Sequence, residues 1–200
     1  MKLIARILST VLHPLLVPFY GMLLVVFYSY MTFFPWKLKG FLLGIVALFT
    51  LVIPMISIVL LRAMKLIHSV SLNERRDRKL PYLISVISYI FCAVLLYRIN
   101  VPLWLIGFMG GGILSLIIAA LITIRWKISA HLTGMGGLLG CTLFLTQAFS
   151  MLPLWILLLT ILLTGMLGSS RIILGRHTFA QTLAGTANGF LCVYLTMLLF

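Results

Sequence analysis

Seven stretches of apolar residues, each near the length that crosses a bilayer and each closed by a short polar or basic break, leave few folds open to this chain. A helix needs ~20 residues to cover ~30 Å of hydrocarbon. The windows predict spans at about 8–34, 40–63, 81–98, 101–124, 131–150, 152–168 and 179–200. Hydrophobic residues make up 63% of the sequence, against roughly 45–50% in soluble domains, which excludes a water-soluble fold. No stretch alternates apolar with polar residues as a membrane β-barrel does, so helices must satisfy the backbone in lipid. The expected fold is all-α, a polytopic transmembrane helix bundle of six to seven spans. Residues 1–200 form a single integral membrane domain. The first apolar run is about twice the length of a signal-peptide core and lacks a small-residue cleavage site before Lys37, so it reads as a retained span.

Charge narrows the partners. Fifteen Lys and Arg stand against Glu74 and Asp77 alone, giving a net charge of +13. Such an excess calls for an anion, either membrane lipid headgroups or a phosphate substrate. Nucleic acid is not expected, because the cations sit near span ends and form no separate domain. Cys92, Cys141 and Cys192 lie inside apolar runs, without metal-ligand spacing or an implied disulfide. Gly136 with Gly140, Gly185 with Gly189, and the run Gly110 to Gly112 have the small-residue spacing of helix seams in lipid. Asn188 inside the last span needs a polar partner. His13 beside Pro14 and His68 in a loop are read as structural.

Three polar segments carry the remaining chemistry. The longest runs from Lys65 to Lys79 and includes Arg75, Arg76, Arg78 and Lys79; the second is Arg125 to His131, and the third runs from Ser169 to His177. Each pair of neighbouring segments is separated by two spans, so all three emerge on one face. With the N-terminus on that face, twelve of the fifteen Lys and Arg lie there. By the positive-inside tendency that face is cytoplasmic.

The third segment places Ser170-Arg171 ahead of five intervening residues, His177, three intervening residues and then Gln181. This pattern resembles the type 2 phosphatidic acid phosphatase superfamily, whose signature is Ser-Arg, five residues, His, three residues, Asp. Gln181 stands where that Asp is expected. The family's Ser-Gly-His motif is similar to Ser129-Ala130-His131. Its first motif, Lys followed after six residues by Arg-Pro, is matched only by Pro81, with Asn73 at the Lys position and a cluster of cations in between. On a helix Arg75 shares a face with Arg78 and Lys79, a displaced phosphate clamp. The motifs span residues 75 to 181, and the core phosphatase-like region is about 62–200.

The resemblance implies a metal-independent phosphatase or phosphotransferase acting on a lipid phosphate of isoprenyl or diacylglycerol type, with no cofactor. His177 would attack phosphorus and form a phosphohistidine, His131 would protonate the leaving oxygen, and Arg171 would hold the phosphate. Arg75, Arg76, Arg78, Lys79, Ser129 and Ser170 would bind the phosphate, and Gln181 would orient His177. The chemistry is apt on general grounds: phosphoryl transfer needs cations for the equatorial oxygens, and imidazole serves as nucleophile or acid near neutrality. The alternative is a catalytically degenerate relative that binds or moves anionic lipid, since Gln181 brings no negative charge. A magnesium-dependent transferase is disfavoured because no Asp lies in any span. The expected location is a bacterial inner membrane. The family generally works on its outer face, whereas the charge count favours the cytoplasmic one.

Overall fold

The computed structural model describes residues 1–69 and 76–200, and of Arg76 only the backbone. It is all-helical. The helices are α1 (Lys2–Val11), α2 (Val17–Tyr28), α3 (Trp36–Ala63), α4 (Lys79–Arg98), α5 (Leu103–Arg125), α6 (Ala130–Phe149), α7 (Leu154–Ile173) and α8 (Phe179–Leu199). Six of them, α3 to α8, are long and apolar enough to cross a membrane, which makes the chain an integral membrane protein.

The first expected span, 8–34, is not a single helix. Proline offers no N–H and disfavours helical backbone in the residue before it, and Pro14 breaks the run after Leu12. The His13 carbonyl then takes the N–H groups of Leu16 and Val17 in a tight turn. The second half, α2, has 12 residues and covers about 18 Å, short of the ~30 Å hydrocarbon core.

Proline acts more gently in α3. Pro54 leaves a carbonyl without its helical donor, and the helix widens into a π turn over Leu48–Val52. The Phe49 carbonyl accepts the hydroxyl of Ser88 on α4, so no backbone oxygen is stranded in lipid there. The short turns between α4 and α5 and between α6 and α7 fall at the expected places. Asn100 (φ 56°) and Ser150 (φ 52°) reverse the chain in left-handed backbone, and Pro102 and Pro153 open the next helices.

The tightest packing is between α6 and α8. A Cβ added to Gly185 would lie 2.7 Å from the Ser129 carbonyl, and one on Gly140 would lie 2.8 Å from the Phe190 carbonyl. Gly136 faces the Thr186 carbonyl and Gly189 faces the Thr133 carbonyl closer still. Both expected glycine pairs therefore let backbone touch backbone. In the Gly110 to Gly112 run the effect is confined to Gly111, which meets Val193 and Cys192 on α8; a side chain on Gly110 would meet nothing. Asn188 has the partner it needed, donating to the Ser115 carbonyl at 3.0 Å. The main core is continuous with these seams through Val193 and Met197 and includes Met22, Leu96, Leu105, Met109 and Leu145, fully or almost fully buried.

The seam predicts a contrast between two equally small substitutions. Gly189→Ala will lower the melting temperature in detergent sharply, because its Cβ must displace backbone. Gly44→Ala, whose Cβ meets nothing, will hold or raise it, in keeping with the ~1 kcal/mol helix preference of Ala over Gly. Equal melting temperatures for the two variants would contradict the seam.

Candidate functional site

The three polar segments meet. Asp77 accepts the backbone N–H groups of His68 (3.0 Å) and Ser69 (3.2 Å) and faces the His68 ring at 3.1 Å. That carboxylate ties the loop after α3 to the start of α4 and sets the next residue, Arg78, into the bundle. Arg78 donates from Nη1 to the Ile128 carbonyl at 3.0 Å, joining the first segment to the second. The Ser129 N–H donates to the Gln181 carbonyl at 3.3 Å, joining the second to the third.

His177 sits in the turn between α7 and α8 and is 6% exposed. Thr178 caps α8, its hydroxyl taking the Gln181 N–H, while Gln181 Oε1 takes the Thr178 N–H at 3.2 Å. The same oxygen lies 3.1 Å from His177 Nδ1. A backbone N–H only donates, so the Gln181 atom facing it is the oxygen, and the ring hydrogen of neutral His177 is on Nδ1. Nε2 is then a bare lone pair. It is buried and, among the described residues, has no hydrogen-bond partner. Burial, followed by the positive charge of Arg78, lowers the His177 pKa to about 4 despite the Gln181 contact, with Arg171 and Lys127 adding to the effect. The ring is neutral at pH 7.

Arg171, near the end of α7, bears on the same ring. Its Nε–H is buried and, among the described residues, has no acceptor. Arg171 and Arg78 also repel one another, so two guanidinium groups face a common space. Both line a cavity of about 160 Å³. His13 and His131 complete its basic lining, and Tyr82, Phe108, Met109 and Val193 are among its apolar walls. His177 is not in the lining; the charges of the two arginines that are act on its ring.

His131 opens α6 and is held by the N-terminal segment. Its Nε2 lies 3.1 Å from the Ser9 carbonyl, which only accepts, so Nε2 carries hydrogen. Arg171, His13 and His177 all act on His131 electrostatically, which places both motif histidines on one face. His13 packs edge-on against His131 with ring centroids 5.4 Å apart. The sequence reads His13 as structural, yet it lines the cavity. The signal available in the sequence was an imidazole beside a proline inside an apolar run, where an ionisable group is costly.

The other expected site residues are more scattered. Ser129 is buried with its hydroxyl unpartnered, next to the point where the segments join. Ser170 turns its hydroxyl back to the Met166 carbonyl of its own helix at 2.8 Å and is not in the cavity wall. Lys79 is exposed at the first turn of α4 and also absent from that wall. Arg75 and the side chain of Arg76 lie outside the described residues. Among the described residues, no three of His, Cys, Asp or Glu are grouped to hold a metal ion.

No family model matches the sequence, and no curated protein or solved structure was found to match it.

The double role of Gln181 gives a spectroscopic prediction. Gln181→Glu keeps the acceptor oxygen and adds negative charge beside Nδ1, which favours the imidazolium. The protonation midpoint of His177, followed by NMR of histidine-labelled protein in detergent, will move up from about 4. An unchanged midpoint would mean that residue 181 does not touch the ring.

Proposed function

We propose that the protein is a metal-independent phosphatase or phosphotransferase acting on a lipid phosphate, with His177 as nucleophile. One observation carries this reading: a neutral imidazole whose Nδ1–H is fixed by Gln181, whose Nε2 is bare and buried, and on whose ring the charges of two arginines act. A nucleophile with its lone pair free at neutral pH, next to cations suited to phosphate oxygens, is the minimum equipment for in-line phosphoryl transfer. The apolar walls running from the arginines to Phe108 and Met109 suit a ligand that joins an anionic head to a hydrocarbon chain. The motif resemblance to the type 2 phosphatidic acid phosphatases supports the same chemistry.

In the proposed reaction, His177 Nε2 forms a bond to phosphorus as the bond to the leaving oxygen breaks. His131, protonated on both nitrogens once the phosphate dianion is bound, gives that oxygen one proton and becomes the neutral ring, and the lipid alcohol departs. Water, or a second alcohol, then attacks the phosphohistidine and returns its proton to His131, releasing phosphate or a new ester and restoring both rings. Arg78 and Arg171 balance the phosphoryl charge throughout, the role in which arginine's planar fork is most effective. The net positive charge of the three segments favours a site on the cytoplasmic side of a bacterial inner membrane.

A second reading has one observation in its favour. The partner of His177 is an amide, and among the described residues the charges acting on the ring are positive, so none of them offsets the imidazolium charge of a phosphohistidine. On that reading the site binds or moves anionic lipid and does not turn over.

Purified protein in detergent with chelator present will release phosphate from a lipid phosphate, and His177→Ala will abolish the release. Arg171→Ala will lower kcat/KM by ~10²-fold or more, the usual cost of removing a donor that stabilises transition-state charge. Because only the neutral ring has a lone pair, kcat/KM will fall as pH drops through about 4, and not through the ordinary imidazole value near 6.5. Release that persists in His177→Ala removes the nucleophile. Absent release with salt-sensitive lipid binding establishes the second reading instead.

A further inference from the structure

The N-terminal segment lies outside the three motif-bearing segments, yet it delivers two groups to them. The Ser9 carbonyl holds His131, and four residues later His13 enters the cavity wall. The break at Pro14 puts His13 there: without it the chain would continue as helix, but the turn draws the ring back over its own backbone. The Leu15 N–H lies 3.4 Å from His13 Nδ1. That group can only donate, so Nδ1 is the acceptor and the hydrogen of the neutral ring is on Nε2. Burial, then the charge of Arg171, holds the His13 pKa below the ordinary imidazole value. The edge-on contact with His131 fixes the ring plane, and the ring lines the cavity with its Nε2–H uncommitted to the Leu15 turn.

His13, His131, Arg78 and Arg171 thus share one cavity, and three of the four have hydrogen on the nitrogens that count for an anion: Nε2–H on His13 and the guanidinium N–H groups on the arginines. We propose that His13 is a ligand-binding residue of this site, donating its Nε2 hydrogen to an oxygen of the phosphoryl anion that Arg78 and Arg171 hold. This rests on the phosphoryl-transfer reading above and extends it to a residue outside the motif region. The donor is uncharged, so it adds direction without adding repulsion to a site already crowded with cations. The same donor serves a phosphate on a lipid or a free phosphate ion, because only the oxygen is recognised.

Two substitutions separate hydrogen bonding from packing. His13→Phe keeps a ring against His131 but has no donor; His13→Gln keeps a donor on a shorter, non-aromatic side chain. With a lipid phosphate in detergent, His13→Phe is expected to raise KM by ~10-fold or more with kcat little changed, since a hydrogen bond to a charged group is lost equally from bound substrate and transition state. His13→Gln is expected to recover most of that loss. A wild-type KM in His13→Phe overturns the proposal. So does equal damage in both variants, which would mark a packing role, and so does a fall in kcat alone, which would mark proton transfer.

Wild-type protein offers a check that needs no variant. In histidine-labelled protein, inorganic phosphate is expected to shift the His13 Nε2 resonance, and a short-chain lipid phosphate to shift it at lower concentration. If phosphate is released from lipid while the His13 signal stays fixed, His13 is not a ligand-binding residue and the phosphatase reading stands. If wild-type protein neither releases phosphate nor responds at any site histidine, the phosphoryl reading itself fails.

Discussion

Backbone touches backbone where α6 crosses α8, and the geometry of the site follows from that contact. Helices in lipid gain little from burying apolar side chains, because the surrounding tails are equally apolar. Close approach of small residues supplies the attraction instead. Gly136, Gly140, Gly185 and Gly189 leave backbone against backbone at four points where a side chain would hold the two helices apart. The first turn of α6 carries His131, and the turn that leads into α8 carries His177. Because Gly185 rests on the Ser129 carbonyl, the Ser129 N–H is within reach of Gln181, and two segments roughly fifty residues apart in sequence share a hydrogen bond.

Within that frame the chemistry is set by partners that can act in only one direction. A carbonyl at Ser9 accepts, so His131 carries hydrogen on Nε2. A backbone N–H at Leu15 donates, so His13 carries hydrogen on its other nitrogen. Gln181 is fixed by the Thr178 N–H and in turn fixes His177. Three imidazoles of identical covalent structure are thereby held in two tautomers, Nε2–H on His13 and His131 and Nδ1–H on His177. The helix cap of α8 doubles as the orienting group of His177, which ties the folding of that terminus to the state of the ring.

Much of this was legible in the sequence, for reasons that differ by feature. Spans α3 to α8 were visible because lipid imposes long unbroken apolar runs, and the even number of spans between basic segments already implied that those segments meet. The glycine seams were visible from their four-residue spacing. What failed was local. The window at 8–34 averaged over Pro14, and with it went the location of His13; hydropathy does not register the loss of one N–H. Ser170 fitted a motif by spacing, but a serine in a helix end can bond its own preceding turn, and only coordinates show that it does. Asp77 looked like a member of a charged loop, whereas its three contacts with His68 and Ser69 make it the fastener that positions Arg78.

The central claim is that the bare Nε2 of His177 takes a phosphoryl group. Brief incubation of the detergent-purified protein with a lipid phosphate labelled in the phosphorus, followed by alkaline quench and peptide mapping, tests it most directly. The account predicts a base-stable, acid-labile phosphoryl group on the peptide containing His177. Turnover of the substrate with no label on that peptide, or with label on another residue, would contradict it.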